Sequence, residues 1–251
     1  EPLAAYYRGV TLLGKEDIAK ARASFEQALA LDPVFLPAAT SLAALDMLDN
    51  KPDAARARFE AVLKEDANNV RAMMALADLA ASRSDEPEQV KWLEKAIKTD
   101  PRALAPRSSL VQHRLAKKEP GKALALAREA VDANPEDLGA QSLLGTTQMA
   151  AGDAENAVAT FTKLAQKRPD STDLQLRLVL AQVAAKKYAE ARTTLNRSLQ
   201  GNPDNLQMLD TLVRLELADK KPQVALQVAQ QMQKRQPKSP VGHDRAGDIL
   251  A

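Results

Sequence analysis

Cysteine is absent from this sequence of 251 residues, and aromatic residues make up only 3% of it. Without cysteine, the chain can form no disulfide and can use no thiol as a nucleophile or metal ligand. Glycine is also scarce, and no apolar run approaches the roughly 20 residues that a membrane-spanning helix needs. Alanine, leucine, lysine, glutamate and arginine are abundant instead, a composition that favours helices over sheets.

A strong excess of charge of either sign is missing as well. The formal net charge is +2 and the pI is about 8.7, a balance that gives no reason to expect a nucleic-acid partner. The two histidines, His113 and His243, lie far apart in a chain without cysteine, so no zinc-type cluster is formed at a typical spacing. Nucleotide-binding and hydrolase motifs are absent too. We therefore predict no catalytic residue, no metal site and no cofactor, and we predict that the chain is not an enzyme.

Proline is the residue with the clearest pattern. Most of the helix-ending prolines are 34 residues apart, and the one double interval has Ala67 at its middle. Each of them closes an apolar stretch, because proline disfavours helix in the residue before it. The members of the series are Pro33, Pro101, Pro135, Pro169, Pro203 and Pro237.

A period of 34 divides the whole chain into repeats without an insertion. We number each repeat so that the helix-ending proline is at position 32. The repeats are 2–35, 36–69, 70–103, 104–137, 138–171, 172–205 and 206–239, with a partial eighth at 240–251.

Small residues recur at two positions within the repeats. Position 20 is alanine in every complete repeat except the third, which has Gln89, and position 8 is glycine, alanine or valine throughout. Position 24 holds bulkier residues, with Ala127 and Ala229 as exceptions. In these features the chain resembles the tetratricopeptide repeat (TPR) family over essentially its whole length. The resemblance implies an all-α, right-handed TPR superhelix, an α-solenoid of about seven helix-turn-helix repeats plus the first helix of an eighth. It also implies a single domain, residues 1–251, which we expect to be a fragment of a longer protein.

In that family, the first helices of the repeats line a concave groove with positions 2, 5, 9, 12 and 13. Here these positions hold a mixture of apolar and small polar residues, which leads us to predict a protein or peptide partner. TPR proteins that bind the acidic tails of heat-shock chaperones present lysine and asparagine there, and neither occurs at position 5 or 9, so that class of partner is disfavoured. The predicted partner groove consists of Tyr6, Val10, Thr40, Met47, Arg71, Met74, Asp78, Ser108, Gln112, Thr146, Met149 and Arg214.

Lysines recur at the turn between the two helices of a repeat. Superposed along a stack of repeats, they would form a basic edge that attracts an acidic polysaccharide or a membrane surface, although turn lysines are usually only solvated. The predicted basic edge consists of Lys15, Lys51, Lys117, Lys118, Lys186, Lys187, Lys220 and Lys221.

Some stretches resemble a narrower group, the TPR lipoproteins of bacterial exosortase and PEP-CTERM systems. The similar stretches are Leu36–Ala39, 54–63, Val70–Ala77, Trp92–Ala96 and the segment from Gln236 to Asp248. The resemblance implies a scaffold for exopolysaccharide production and protein sorting in the bacterial cell envelope, on the periplasmic side. A lipid anchor outside this stretch would then be the only membrane contact, and a cytoplasmic location stays open. Direct polysaccharide binding by the basic edge is one alternative function. A regulatory array for a transferase domain elsewhere in the protein is another.

Overall fold

The computed structural model describes residues 1–237 and 239–250, and in these residues it contains fifteen α-helices and no strand. The predicted all-α repeat fold is confirmed. Odd-numbered helices are the first helix of each repeat (A helices), and even-numbered helices are the second (B helices). The A helices are α1 Pro2–Leu13, α3 Leu36–Leu48, α5 Val70–Ser82, α7 Leu104–Ala116, α9 Leu138–Ala150, α11 Thr172–Ala184, α13 Leu206–Ala218 and α15 Pro240–Leu250. The B helices are α2 Ile18–Leu31, α4 Pro52–Glu65, α6 Glu86–Thr99, α8 Pro120–Ala133, α10 Ala154–Lys167, α12 Tyr188–Gly201 and α14 Pro222–Arg235.

Local sequence signals set where these helices begin. Proline is the first residue of α4, α8 and α14, where its missing N–H needs no partner. Other helices begin after a residue whose side chain accepts a backbone N–H: Asn69 accepts from Ala72 at 3.0 Å, and Asn205 accepts from Met208 at 3.1 Å.

The turn between the A and B helices uses the same backbone conformation in every complete repeat. Its central residue, at position 15, has a positive φ between 58° and 78°. This left-handed conformation costs glycine least, asparagine somewhat more and other residues more still, and glycine occupies it only in the fifth repeat. The residues in this conformation are Glu16, Asn50, Ser84, Lys118, Gly152, Lys186 and Lys220.

The helices group into two compact units, residues 1–110 and 111–251, with the division inside α7. In the first unit, α1 packs on α2, α2 on α3, and so on through α6. The second unit shows the same succession from α8 to α15. The prediction that all eight repeats form one continuous right-handed solenoid concerns both units together and stays a prediction.

Positions 8 and 24 meet where the two helices of a hairpin cross, and their sizes compensate. A Cβ atom on Gly9 would lie 2.5 Å from the ring of Phe25, and one on Gly145 would lie 2.8 Å from Phe161. Where position 24 is only alanine, position 8 is valine: Val111 belongs to the same buried cluster as Ala127, and Val213 to the same cluster as Ala229. The alanines that looked too small in the sequence are therefore matched by a larger neighbour.

A polar residue is buried at position 11 of several A helices. The amides of Gln148 and Gln182 accept hydrogen bonds from Thr160 at 2.8 Å and Thr194 at 3.2 Å, both at position 23. In two other repeats the residue is acidic, Asp46 or Glu216, and arginines from neighbouring helices neutralise it. Among the described residues, two carboxylates are thus buried between helices, one in each unit, which the sequence pattern did not predict.

Candidate functional site

The exposed side of the A helices carries the predicted groove residues. Position 8 is buried in every complete repeat, whereas its neighbour at position 9 is exposed in all seven. Since one residue turns an α-helix by about 100°, positions 2, 5, 9, 12 and 13 point away from the hairpin crossing. We call these positions the A-helix face and describe it separately for each unit.

In the first unit, this face is mainly apolar. Val10 and Met47 are 42% and 36% exposed, Thr40 is exposed, and Met74 is half-buried. Tyr6 is also half-buried, because its ring packs edge-on against Phe35 with the centroids 5.6 Å apart. Tyr6 therefore contributes as much to the core at this end as to an outer surface.

In the second unit, Gln112, Thr146 and Arg214 are exposed as predicted for a groove. Met149 is half-buried and packs against the buried cluster around Phe161, so only part of it is available to a partner. Arg214 is not a free charge, since its guanidinium pairs with Asp210 at 3.0 Å.

Two exposed leucines of the second unit were left out of the predicted site. Leu180, at position 9 of α11, is 53% exposed, and Leu217, at position 12 of α13, is 40% exposed. A leucine in a helical pattern is usually expected to be buried in the core, and for this reason neither residue was included in the predicted groove. Their place in the 34-residue frame is the signal that could have identified them.

The charges on the A-helix face of the first unit are Arg71 and Asp78, both exposed. Burial by surrounding atoms raises the pKa of Asp78 above its usual value, although the side chain still reaches solvent. Ser108, also predicted for the groove, is half-buried on α7.

The lysines of the predicted basic edge differ in their surroundings. Lys51, Lys187 and Lys221 are paired with Asp49, Glu155 and Asp219 at 3.3, 2.6 and 2.6 Å. Lys15 and Lys117 are exposed at the turn. Three further lysines are exposed, occupy the left-handed turn position and have no ion pair with any described residue: Lys118, Lys186 and Lys220.

Open clefts lie on the other side of the hairpins, between successive B helices. One of them, about 640 Å³, is lined mainly by residues of α10, α11 and α12 together with Met208. It is open because α12 buries only Ala191 and Leu195 and carries small polar residues such as Thr194 and Ser198 along this side. The cleft therefore results from the low apolar content of α12.

Across 1–237 and 239–250, no group of three or more His, Asp or Glu side chains is placed to hold a metal ion. In the same part of the chain, no helix combines the length and apolar character needed to cross a membrane.

Family models describe the repeats directly. One tetratricopeptide-repeat model matches residues 41–103 and 109–172, another matches 148–215, and a third matches 2–33. The chain belongs to the tetratricopeptide repeat family. Proteins with TPR folds bind protein or peptide partners, so this TPR chain is a protein-interaction scaffold in its general class. The narrower likeness to exosortase-associated lipoproteins has no support among these matches.

Solved structures show the same fold at low sequence identity. A tetratricopeptide repeat protein from Parabacteroides merdae has a TM-score of 0.59 at 12% identity, with 100% of this chain and 99% of that chain covered. PilW, described as a widely conserved type IV pilus biogenesis factor, has a TM-score of 0.58 at 18% identity, covering 85% and 97%. YrrB, described as a TPR protein with an unusual peptide-binding site, has a TM-score of 0.50 at 18% identity, covering 74% and 95%. A comparison with curated protein sequences finds no match.

Proposed function

We propose that this TPR chain is a non-catalytic scaffold that binds a segment of a partner protein on its A-helix face. The observation that carries the proposal is the exposure of large apolar side chains there in both units: Val10 and Met47 in the first, Leu180 and Leu217 in the second. Fully burying a side chain of this size contributes roughly 1.5–3 kcal/mol, and covering the part that is still exposed here contributes about half of that, so several of them together are needed to hold a peptide once ordering costs are met.

The test is to make the apolar face charged without changing the rest of the surface. In the full-length protein, Val10→Glu with Met47→Glu alters the first unit, and Leu180→Glu with Leu217→Glu alters the second. The matched controls are Leu31→Glu and Val224→Glu, which place the same charge on exposed apolar residues of B helices. Partners are recovered after cross-linking in cells and quantified by mass spectrometry. The proposal requires that face variants lose partners that the controls retain; equal recovery in both sets contradicts it.

We further propose that the scaffold works in the bacterial cell envelope, in the assembly of an exopolysaccharide or protein-sorting system. Support comes from the stretches similar to exosortase-associated lipoproteins. PilW, which shares the fold, is itself described as a factor in pilus biogenesis. Fractionating cells that produce the full-length protein, and measuring surface polysaccharide in a strain with the face variants, tests this idea. A protein found only in the cytosol, or unchanged polysaccharide, would contradict it.

A second candidate function is direct binding of an acidic polysaccharide or membrane surface at the basic edge. It is favoured by three exposed lysines that recur at one turn position of the second unit, Lys118, Lys186 and Lys220. Replacing all three with Gln should weaken salt-sensitive binding to alginate or to phosphatidylglycerol vesicles. The matched control replaces the B-helix lysines Lys64, Lys98 and Lys163 with Gln, which removes the same number of positive charges away from the basic edge. If both triple variants bind alike, the basic edge is not a site.

A further inference from the structure

Charge is distributed unevenly over the A-helix face. Within residues 1–110, the positions of the face hold only two charged side chains, Arg71 and Asp78, and both belong to α5. Neither forms a hydrogen bond or an ion pair through its side chain with any residue in the described part of the chain. The two cannot neutralise each other, because seven residues of helix separate them by about 10 Å.

The A-helix face of the second unit differs in how its charges are paired. On α11 and α13 this face also carries charges, and each of these is paired within the unit; on α15, Asp244 is exposed and has no ion pair with any described residue. Asp173 accepts from Arg177 at 2.7 Å, and Asp210 pairs with Arg214 at 3.0 Å and also with Arg245. Charges that are already paired within the chain gain little from an oppositely charged group on a partner. The first unit lacks this internal pairing.

Asp78 is in an environment where an ion pair would be strengthened. Surrounding atoms already remove part of its water, which raises its pKa, and a paired cation would favour the charged form again. Met74 lies between the two charges on the same side of α5 and is half-buried. The neighbouring helix α3, which contacts α5, supplies the exposed Met47.

We propose that α5 recognises an amphipathic helix of the partner protein that carries a basic residue opposite Asp78, an acidic residue opposite Arg71 and an apolar residue between them. This inference rests on the proposed function, because it names the chemistry of the segment that the A-helix face binds. Arg71, Met74 and Asp78 are spaced i, i+3 and i+7, which is the repeat of one side of an α-helix. A second helix lying along α5 can match all three with side chains at the same spacing, whereas an extended chain covers 10 Å in about three residues and alternates its sides.

The probe is a phage-displayed library of helical, alanine-based 20-residue peptides with one face randomised, selected on the immobilised chain. We expect the selected peptides to carry a basic and an acidic residue seven positions apart. Their affinity, measured by fluorescence anisotropy with the synthetic consensus peptide, should fall at least about fivefold with Asp78→Asn and with Arg71→Gln. Asp173→Asn is the matched control, because it removes a carboxylate that is already paired on the face of the second unit.

Charge exchange provides a positive test. The double variant Arg71→Asp with Asp78→Arg should bind the consensus peptide whose acidic and basic residues are exchanged, and circular dichroism confirms that it is folded. Selected peptides that bind equally well to wild type and Asp78→Asn, or whose charges lie three residues apart, overturn this inference. If such peptides still lose binding with Met47→Glu, the proposed function survives alone. A selection that returns no binder counts against both.

Discussion

The guanidinium of Arg192 donates to both oxygens of the buried Glu216 carboxylate, at 2.6 and 2.8 Å, and to Asp219 at 2.8 Å. The same triad occurs 170 residues, or five repeats, earlier, where Arg22 pairs with Asp46 and Asp49. In each case an arginine at position 21 of one B helix reaches positions 11 and 14 of the next repeat. The pairing therefore joins consecutive hairpins through charge as well as through apolar contact.

Breaking this pairing from the arginine side should be strongly destabilising. Arg192→Met leaves the Glu216 carboxylate buried without its partner, and we expect a loss of about 3–5 kcal/mol in the free energy of unfolding. Adding Glu216→Leu should restore most of that loss, because an apolar pair of similar volume needs no neutralisation. Urea denaturation followed by circular dichroism measures both. Arg177→Gln, which removes an exposed pair with Asp173, should change the value by less than about 1 kcal/mol.

Asp46 predicts a dependence of stability on pH. Burial by itself would raise the pKa of this carboxyl, but hydrogen bonds from Arg22 and Arg58 outweigh it and hold the pKa below its usual range. Because the pKa is lower in the folded state, the stabilisation is present above the unfolded value of about 3.9 and is lost as pH falls through the folded pKa. Wild type should therefore lose more stability between pH 7 and pH 3 than Asp46→Asn does. Urea midpoints at the two pH values give the difference, and parallel changes in both proteins would contradict the prediction.

The crossing of position 8 with position 24 predicts a pair of compensating substitutions. Gly145→Val forces methyl groups against the ring of Phe161 and should lower the free energy of unfolding by about 1–3 kcal/mol. Adding Phe161→Ala should recover most of this loss, because the double variant then has the Val–Ala combination found at Val111 and Ala127. Denaturant unfolding of the two single variants and the double variant measures these changes. If Phe161→Ala lowers stability as much with Gly145→Val as alone, the two positions do not share one space.

The left-handed turn at position 15 predicts that adding a side chain to a glycine there and removing one from a lysine there change the free energy of unfolding in opposite directions. Gly152→Ala should destabilise by about 1 kcal/mol, because φ is +78° and no atom lies within 4 Å of the added Cβ to cause any other effect. Lys186→Gly, at a φ of 59°, should be neutral or stabilising by up to about 1 kcal/mol, since it relieves the same strain. Thermal unfolding of the two variants beside wild type checks both signs.

Much of the fold could be read from local signals. The prolines and the Asp and Asn caps act on the backbone within a few residues, so α2 ends at Leu31, just before the helix-ending Pro33. Small residues recur at position 8 in the sequence, and Gly9 and Gly145 lie at close crossings of two helices. The compensation of Ala127 by Val111 was missed, because it appears only when two positions of a hairpin are compared as a pair.

The candidate site was less accessible to such reasoning. The frame placed Val10, Met47 and Thr146 on an exposed face correctly, but it could not show that Arg214 is already paired with Asp210. Nor could it show that Met149 packs partly into the core. Pairing between neighbouring helices depends on which side chains the packing brings within reach.

By itself, the sequence determined the 34-residue period, the ends of the six B helices that a proline follows and membership of the tetratricopeptide repeat family, because turns, caps and apolar spacing act over short stretches of chain. Only the tertiary structure decided which charges are satisfied. It joined Arg192 to Glu216 from the next repeat, and within residues 1–237 and 239–250 it gave Arg71 and Asp78 of α5 no partner. The physical reason is that an ion pair requires two groups within a few ångströms, and that distance is set by how one hairpin packs on the next.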